Sequence, residues 1–196
     1  MESIMKHFFK ALNATVAATA LAASTVLSSG VAIAATQGTL GATSTGSADI
    51  SVTKATVAQI TGLSDMAIAS YILGDGNQAL FTTACVYTST VGGSYTVKAT
   101  GSGAASAFTV ANGPTTIPYT VVWNSGGVGA LGTTGAALIT NVTSATLTNA
   151  ATDSATCAGT TPGPTAQLNV NFLGTLLDAA PAGTYTGTVT LLITPV

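Results

Sequence analysis

Between residues 40 and 52 the chain keeps a period of two. The even positions, Leu40, Ala42, Ser44, Gly46, Ala48, Ile50 and Val52, are small or apolar, while Gly41, Thr43, Thr45, Ser47, Asp49 and Ser51 between them are mostly hydroxylic. Successive side chains of a β-strand point to opposite faces, so this alternation predicts an extended segment with one apolar side. Similar patterning predicts strands at 67–73, 79–88, 94–100, 107–110, 117–123, 137–148, 166–172 and 184–194. Thr, Val, Ile and Tyr dominate these runs, as a pleated and half-buried surface prefers. Turn chemistry falls between them at Gly74-Asp75-Gly76-Asn77, Val91-Gly92-Gly93, Gly101-Ser102-Gly103 and Asn112-Gly113-Pro114, and again at 159–164 and 180–183. Many short strands spaced by such turns predict an all-β sandwich, with helix confined to short turns such as one near 173–178.

Two ends of the chain add to this picture. The last predicted strand turns Tyr185, Val189, Leu191 and Ile193 to one side, and the sequence stops at Pro195-Val196. An edge left open there is expected to invite pairing with another chain. At the other end, Lys6 and Lys10 precede an apolar run over 11–31 that closes on Ala32-Ile33-Ala34-Ala35. A positive start, an apolar middle and a small-x-small end describe a secretory signal peptide over 1–34. Its many Ala, Thr and Ser residues distinguish it from a membrane-spanning helix. The expected organisation is therefore a signal peptide (1–34), an N-terminal extension (35–47) and one β-sandwich domain (48–196).

Export changes what chemistry remains. Beyond residue 34 the chain has Lys54 and Lys98 against Asp49, Asp65, Asp75, Asp153 and Asp178, a formal charge of −3, with no His, Arg or Glu. Such a surface cannot neutralise phosphates, so nucleic acid is not an expected partner. It offers no basic face to anionic lipid, and no second spanning segment follows, so no membrane insertion is expected after cleavage. Cys85 and Cys157 are the chain's two cysteines. In an exported protein an even pair reads as a disulfide, and closing so long a loop contributes about 4 kcal/mol in the chain-entropy model.

Motifs that could carry catalysis fail on context. Gly127-Val128-Gly129-Ala130-Leu131-Gly132 matches a dinucleotide fingerprint, but no helix signal follows and no acid appears before Asp153. Ser51-Val52-Thr53-Lys54 matches the serine–lysine motif of penicillin-binding enzymes, yet strand alternation would put Ser51 and Lys54 on opposite faces. Without an imidazole there is no Ser–His–Asp arrangement. The aspartates sit near turns or on polar strand faces, without the repeated acids of a calcium loop. No catalytic residue, metal or cofactor is expected, and the chain is not read as an enzyme. Tyr119, Val121 and Trp123 share one side of a strand; the strip reads as core, or alternatively as a platform for stacking on a sugar ring.

Several of these segments, in order, resemble the pilin subunits of chaperone–usher fimbriae, in particular the archaic group and its spore-coat-U-like relatives. They are the Ala/Thr/Gly-rich alternating N-terminus, Ala84-Cys85-Val86-Tyr87 leading into Ser94-Tyr95-Thr96-Val97, then Phe108-Thr109-Val110 and Ile117-Pro118-Tyr119-Thr120-Val121. Last comes Gly183-Thr184-Tyr185-Thr186-Gly187-Thr188-Val189. The resemblance implies an immunoglobulin-like sandwich lacking its final strand. A periplasmic chaperone, and then the N-terminal extension of the next subunit, would fill the gap by strand addition at an outer-membrane usher. Carried onto this chain, the donor strand lies within 36–47 and inserts Leu40, Ala42 and Ser44. Tyr185, Val189, Leu191 and Ile193 border the acceptor groove, and a chaperone grips the carboxylate of Val196. Identical or related pilins, the chaperone and the usher are the implied partners, and a surface fimbria is the implied location. Archaic pilins usually carry a cysteine early in the mature chain, whereas here the partner available to Cys85 is Cys157. The alternative reading is a self-complete secreted adhesin or carbohydrate-binding module that presents Tyr119 and Trp123.

Overall fold

The computed structural model describes residues 35–127, 135–158 and 163–196. The expected signal peptide (1–34) and all but the first residue of the 127–132 glycine motif lie outside them. The chain divides into two compact units, Met1–Val52 and Thr53–Val196. In the first, Thr36 and Ser47 exchange main-chain hydrogen bonds of 2.9 and 3.0 Å and close the residues between them into a loop. All of 35–52 is exposed, and the strand expected at 40–52 does not form a ladder. Alternation favours extension, but a strand needs a neighbour to hold its main-chain groups.

In the second unit the described residues form β1 (Ala58–Thr61), β2 (Gln78–Thr88), β3 (Tyr95–Gly101), β4 (Thr109–Asn112), β5 (Thr115–Pro118), β6 (Thr120–Asn124), β7 (Ala136–Leu138), β8 (Ala166–Phe172) and β9 (Val189–Pro195). One short helix, α1 (Gly174–Ala179), falls where the sequence allowed a helical turn. The larger sheet is antiparallel with the order β1-β2-β8-β6-β7. Facing it are the pair β3–β9 and the hairpin β4–β5, joined by a bridge between Ala111 and Thr186. The architecture is the all-β sandwich that the alternation predicts.

Differences in strand boundaries have local causes. The run 117–123 splits because Pro118 has no N–H to continue a ladder. At that corner Tyr119 N–H turns to Phe108 O (2.9 Å), and the chain passes from one layer to the other. The run 137–148 stops early because Asn141 takes a left-handed conformation (φ 63°) and Val142 N–H closes a turn on Ile139 O. Beyond it, 141–150 follows the free edge of β3 through bonds such as Leu147 N–H to Tyr95 O (2.8 Å). On the central strand β8 the alternation misleads in another way. Gln167 and Asn169 face away from the core, yet they are as buried as Leu168.

Between the layers lie Val86, Val97, Val121, Trp123, Leu168 and Phe172, among others. Each such side chain contributes about 1.5–3 kcal/mol by leaving water. Two cross-links fix the layers more specifically. Trp123 on β6 donates its indole N–H to the hydroxyl of Tyr95 on β3 (3.0 Å), and both residues are fully buried. Cys85 on β2 is disulfide-bonded to Cys157, 72 residues later, fastening the turn at Ser154–Cys157 to the larger sheet.

Replacing both cysteines by alanine is expected to remove about 4 kcal/mol and lower Tm by roughly 10 °C, as calorimetry would read. Tyr95→Phe keeps the ring but strands the indole N–H. It should cost about 1–3 kcal/mol in denaturant unfolding, and an unchanged midpoint would show that the indole finds another partner.

Candidate functional site

Residues paired across an antiparallel ladder point to the same side. Tyr95, Val97 and Ala99 of β3 lie opposite Pro195, Ile193 and Leu191 of β9. The three on β3 are fully buried, whereas their partners on β9 are only half-buried. The difference is in the neighbours. β3 has β9 on one edge and 141–150 on the other, while among the described residues β9 pairs with β3 alone. β1 lies beside part of β9, yet among the described residues the inner face of β9 stays half-exposed.

A groove of about 810 Å³ with an apolar floor and more polar lips opens in the same unit. Leu80, Val110, Ile117 and Phe172 line it, with Tyr119 packed beneath against Phe172 (ring centroids 5.4 Å) and Phe108 (5.8 Å). One lip is the stretch expected to form a strand at 67–73. Met66 and Ile68 turn inward and are half-buried, while Ala67 and Ala69 are exposed. The period of two is there, but no ladder forms. Among the described residues, the main chain of 66–71 makes no hydrogen bond to other main-chain groups. The opposite lip, 180–187, carries Tyr185, and residues 182–185 likewise make none. Both lips thus present unpaired backbone beside an apolar floor. That is the arrangement into which an extended peptide adds as a strand.

One end of the groove is latched. Asp178 Oδ1 accepts hydrogen bonds from the Tyr71 hydroxyl (2.8 Å) and the Gly74 N–H (3.0 Å), joining the 66–73 lip to α1. Gly174 N–H donates to Asn77 Oδ1 (2.8 Å). Gly174 also sits so close to Gly76 that a Cβ there would lie 2.5 Å from main-chain carbon, so only glycine permits the approach. The Gly74 N–H, and then the Tyr71 hydroxyl, hold the Asp178 carboxyl below its ordinary pKa, against some desolvation. Desolvation foremost, and then the Asp178 carboxylate, raise that of Tyr71. The latch was not foreseen from sequence, where its two residues lie 107 positions apart. Met66 and Ile68 had a signal, the alternation of their segment.

Of the edge residues expected from sequence, Tyr185 borders the groove and Val189, Leu191 and Ile193 form the uncovered face of β9. Val196 is half-exposed, and its N–H reaches Ser94 O (3.3 Å). Leu40, Ala42 and Ser44 are exposed within the Met1–Val52 unit. Trp123 and Tyr119 are core residues, at 0% and 8% exposure, so the platform they were to present to a sugar is absent. No helix among the described residues is long and apolar enough to cross a membrane.

The latch has a defined pH window. Because the Asp178 pKa is lowered in the fold, its contribution is complete above the ordinary value of 3.8 and is lost as pH falls through the lowered one. Because that of Tyr71 is raised, the neutral hydroxyl persists until pH rises past its ordinary 10.0. Asp178→Asn should bring the Tyr71 titration, followed by ring NMR, part of the way down toward that value. It should also reduce protection of the Gly74 amide at neutral pH. No change in either would mean that the carboxylate does not hold the lip.

No protein-family model matches the chain, and no curated protein matches its sequence. Among solved structures it is similar to a chain from a chaperone–tip adhesin complex described as vital for synergistic activation of CFA/I fimbriae biogenesis. The identity is 16% and the TM-score 0.43, over 71% of this chain, which spans 41% of the other's length. That likeness is too slight to establish a shared fold.

Proposed function

We propose that this chain is an exported structural subunit of a surface fibre, polymerising as its groove takes up an extended N-terminal segment of a neighbouring copy. The observation that carries this reading is the apolar floor of Leu80, Val110, Ile117 and Phe172 between two lips of unpaired main chain. An added strand would give each lip a ladder, at about 1 kcal/mol per hydrogen bond. Every apolar side chain it buried on the floor would add about 1.5–3 kcal/mol. The exposed stretch 35–52, with small or apolar residues at every second position from Leu40 to Val52, has the pattern such a strand needs. The ordered motifs resembling chaperone–usher pilins support the same reading, as does a disulfide suited to an oxidising compartment.

On this reading the partners are like subunits, a periplasmic chaperone that shields the groove before assembly and anchors the Val196 carboxylate, and an usher. The role is structural rather than enzymatic. A sugar-stacking role for Tyr119 and Trp123 has no support from their burial.

Deleting residues 36–52 from the exported chain should abolish detergent-resistant multimers. The truncated monomer should keep its Cys85–Cys157 bond and a Trp123 emission typical of buried indole. Multimers of undiminished length from the truncated chain would refute strand donation.

A further inference from the structure

The sequence suggested that the inserting side chains are Leu40, Ala42 and Ser44. The geometry points elsewhere, and we infer that the run entering a neighbour's groove is 48–52, with Ala48, Ile50 and Val52 as the inserted side chains. This inference rests on the strand-donation reading above and concerns which residues perform it. Residues 36–47 are already engaged with themselves, through the paired Thr36–Ser47 hydrogen bonds. Leu40 lies in the bend that those bonds close, and a Cβ on Gly38 would collide with Ser44 Oγ at 2.0 Å, so the loop is tightly folded. To act as a donor it must first open. Residues 48–56 carry no such commitment: none of them makes a main-chain hydrogen bond to another main-chain group among the described residues. They follow the loop as exposed chain outside any helix or strand up to Val57, which Ser89 holds by two hydrogen bonds (2.8 and 3.0 Å).

The run also carries the better side chains. Ile50 and Val52 are 91% and 89% exposed, two β-branched residues that would share one side if the run is taken up as a strand. β-branched residues favour the strand conformation and fill a pleated surface. Ala42 and Ser44 would leave most of a floor built from Leu80, Val110, Ile117 and Phe172 uncovered. Charge agrees as well. Lys54 follows on the Ile50–Val52 side, and Asp178 is the charged side chain lining the groove among the described residues. The occupant is thus a second copy of this chain. Residues 53–56 link the inserted run to the first residue held by its own domain.

Three single variants of the full exported chain separate the possibilities: Ile50→Asp, Val52→Asp and Leu40→Asp. All three positions are exposed, so each domain should fold and oxidise normally. We expect the first two to reduce detergent-resistant multimers at least tenfold, and the third to leave them unchanged. A cysteine pair, Ile50→Cys with Ile68→Cys on the facing lip, should give disulfide-linked ladders in non-reducing gels, whereas Leu40→Cys with Ile68→Cys should not. Loss of multimers in Leu40→Asp alone would overturn the assignment and leave strand donation standing. Normal multimers from all three variants would overturn both.

Discussion

In β3 and β9 the same ladder carries residues that are wholly buried on one strand and half-bare on the next. A sheet edge is normally managed by covering it, shortening it or charging it. Here the inner face of β9 keeps Val189, Leu191 and Ile193 partly in water, and residues 66–71 and 182–185 at the lips of the groove make no main-chain hydrogen bonds to one another or to other main chain among the described residues. What surrounds the groove can be understood as the means by which it stays open, because the ordinary tendency of an apolar surface is to close on itself.

Two kinds of restraint oppose that closure. The indole–phenol bond between Trp123 and Tyr95 fixes the spacing of the layers from inside, and the Cys85–Cys157 bond ties down a long excursion from outside. Nearer the groove, Asp178 holds Tyr71 and Gly74, and Gly174 packs on Gly76 without a side chain between them. These contacts set one lip at a distance from the other. If the groove takes up a strand as proposed, a frame already held in place reduces the ordering cost of binding.

The all-β class, the disulfide and the core role of the Tyr119–Trp123 strip were legible in period, composition and cysteine number. Pro118 and Asn141 broke two runs that alternation alone had continued, because a missing N–H or a left-handed residue acts at one position while period is judged over many. The 67–73 run and the 40–52 run show a deeper limit. Both have strand alternation, and neither has a strand beside it. Sequence pattern reports what a segment could pair with, but not whether the partner lies in the same molecule. The Tyr71–Asp178 contact was invisible for a related reason, since nothing local marks a hydrogen bond between residues so far apart.

The poverty of basic residues has one further result. Lys98 sits half-buried in β3 with neighbours on both edges, leaving Lys54 as the exposed lysine among the described residues. A trypsin-type protease would find its opening there, and a single nick would sever the N-terminal arm from the domain that follows it.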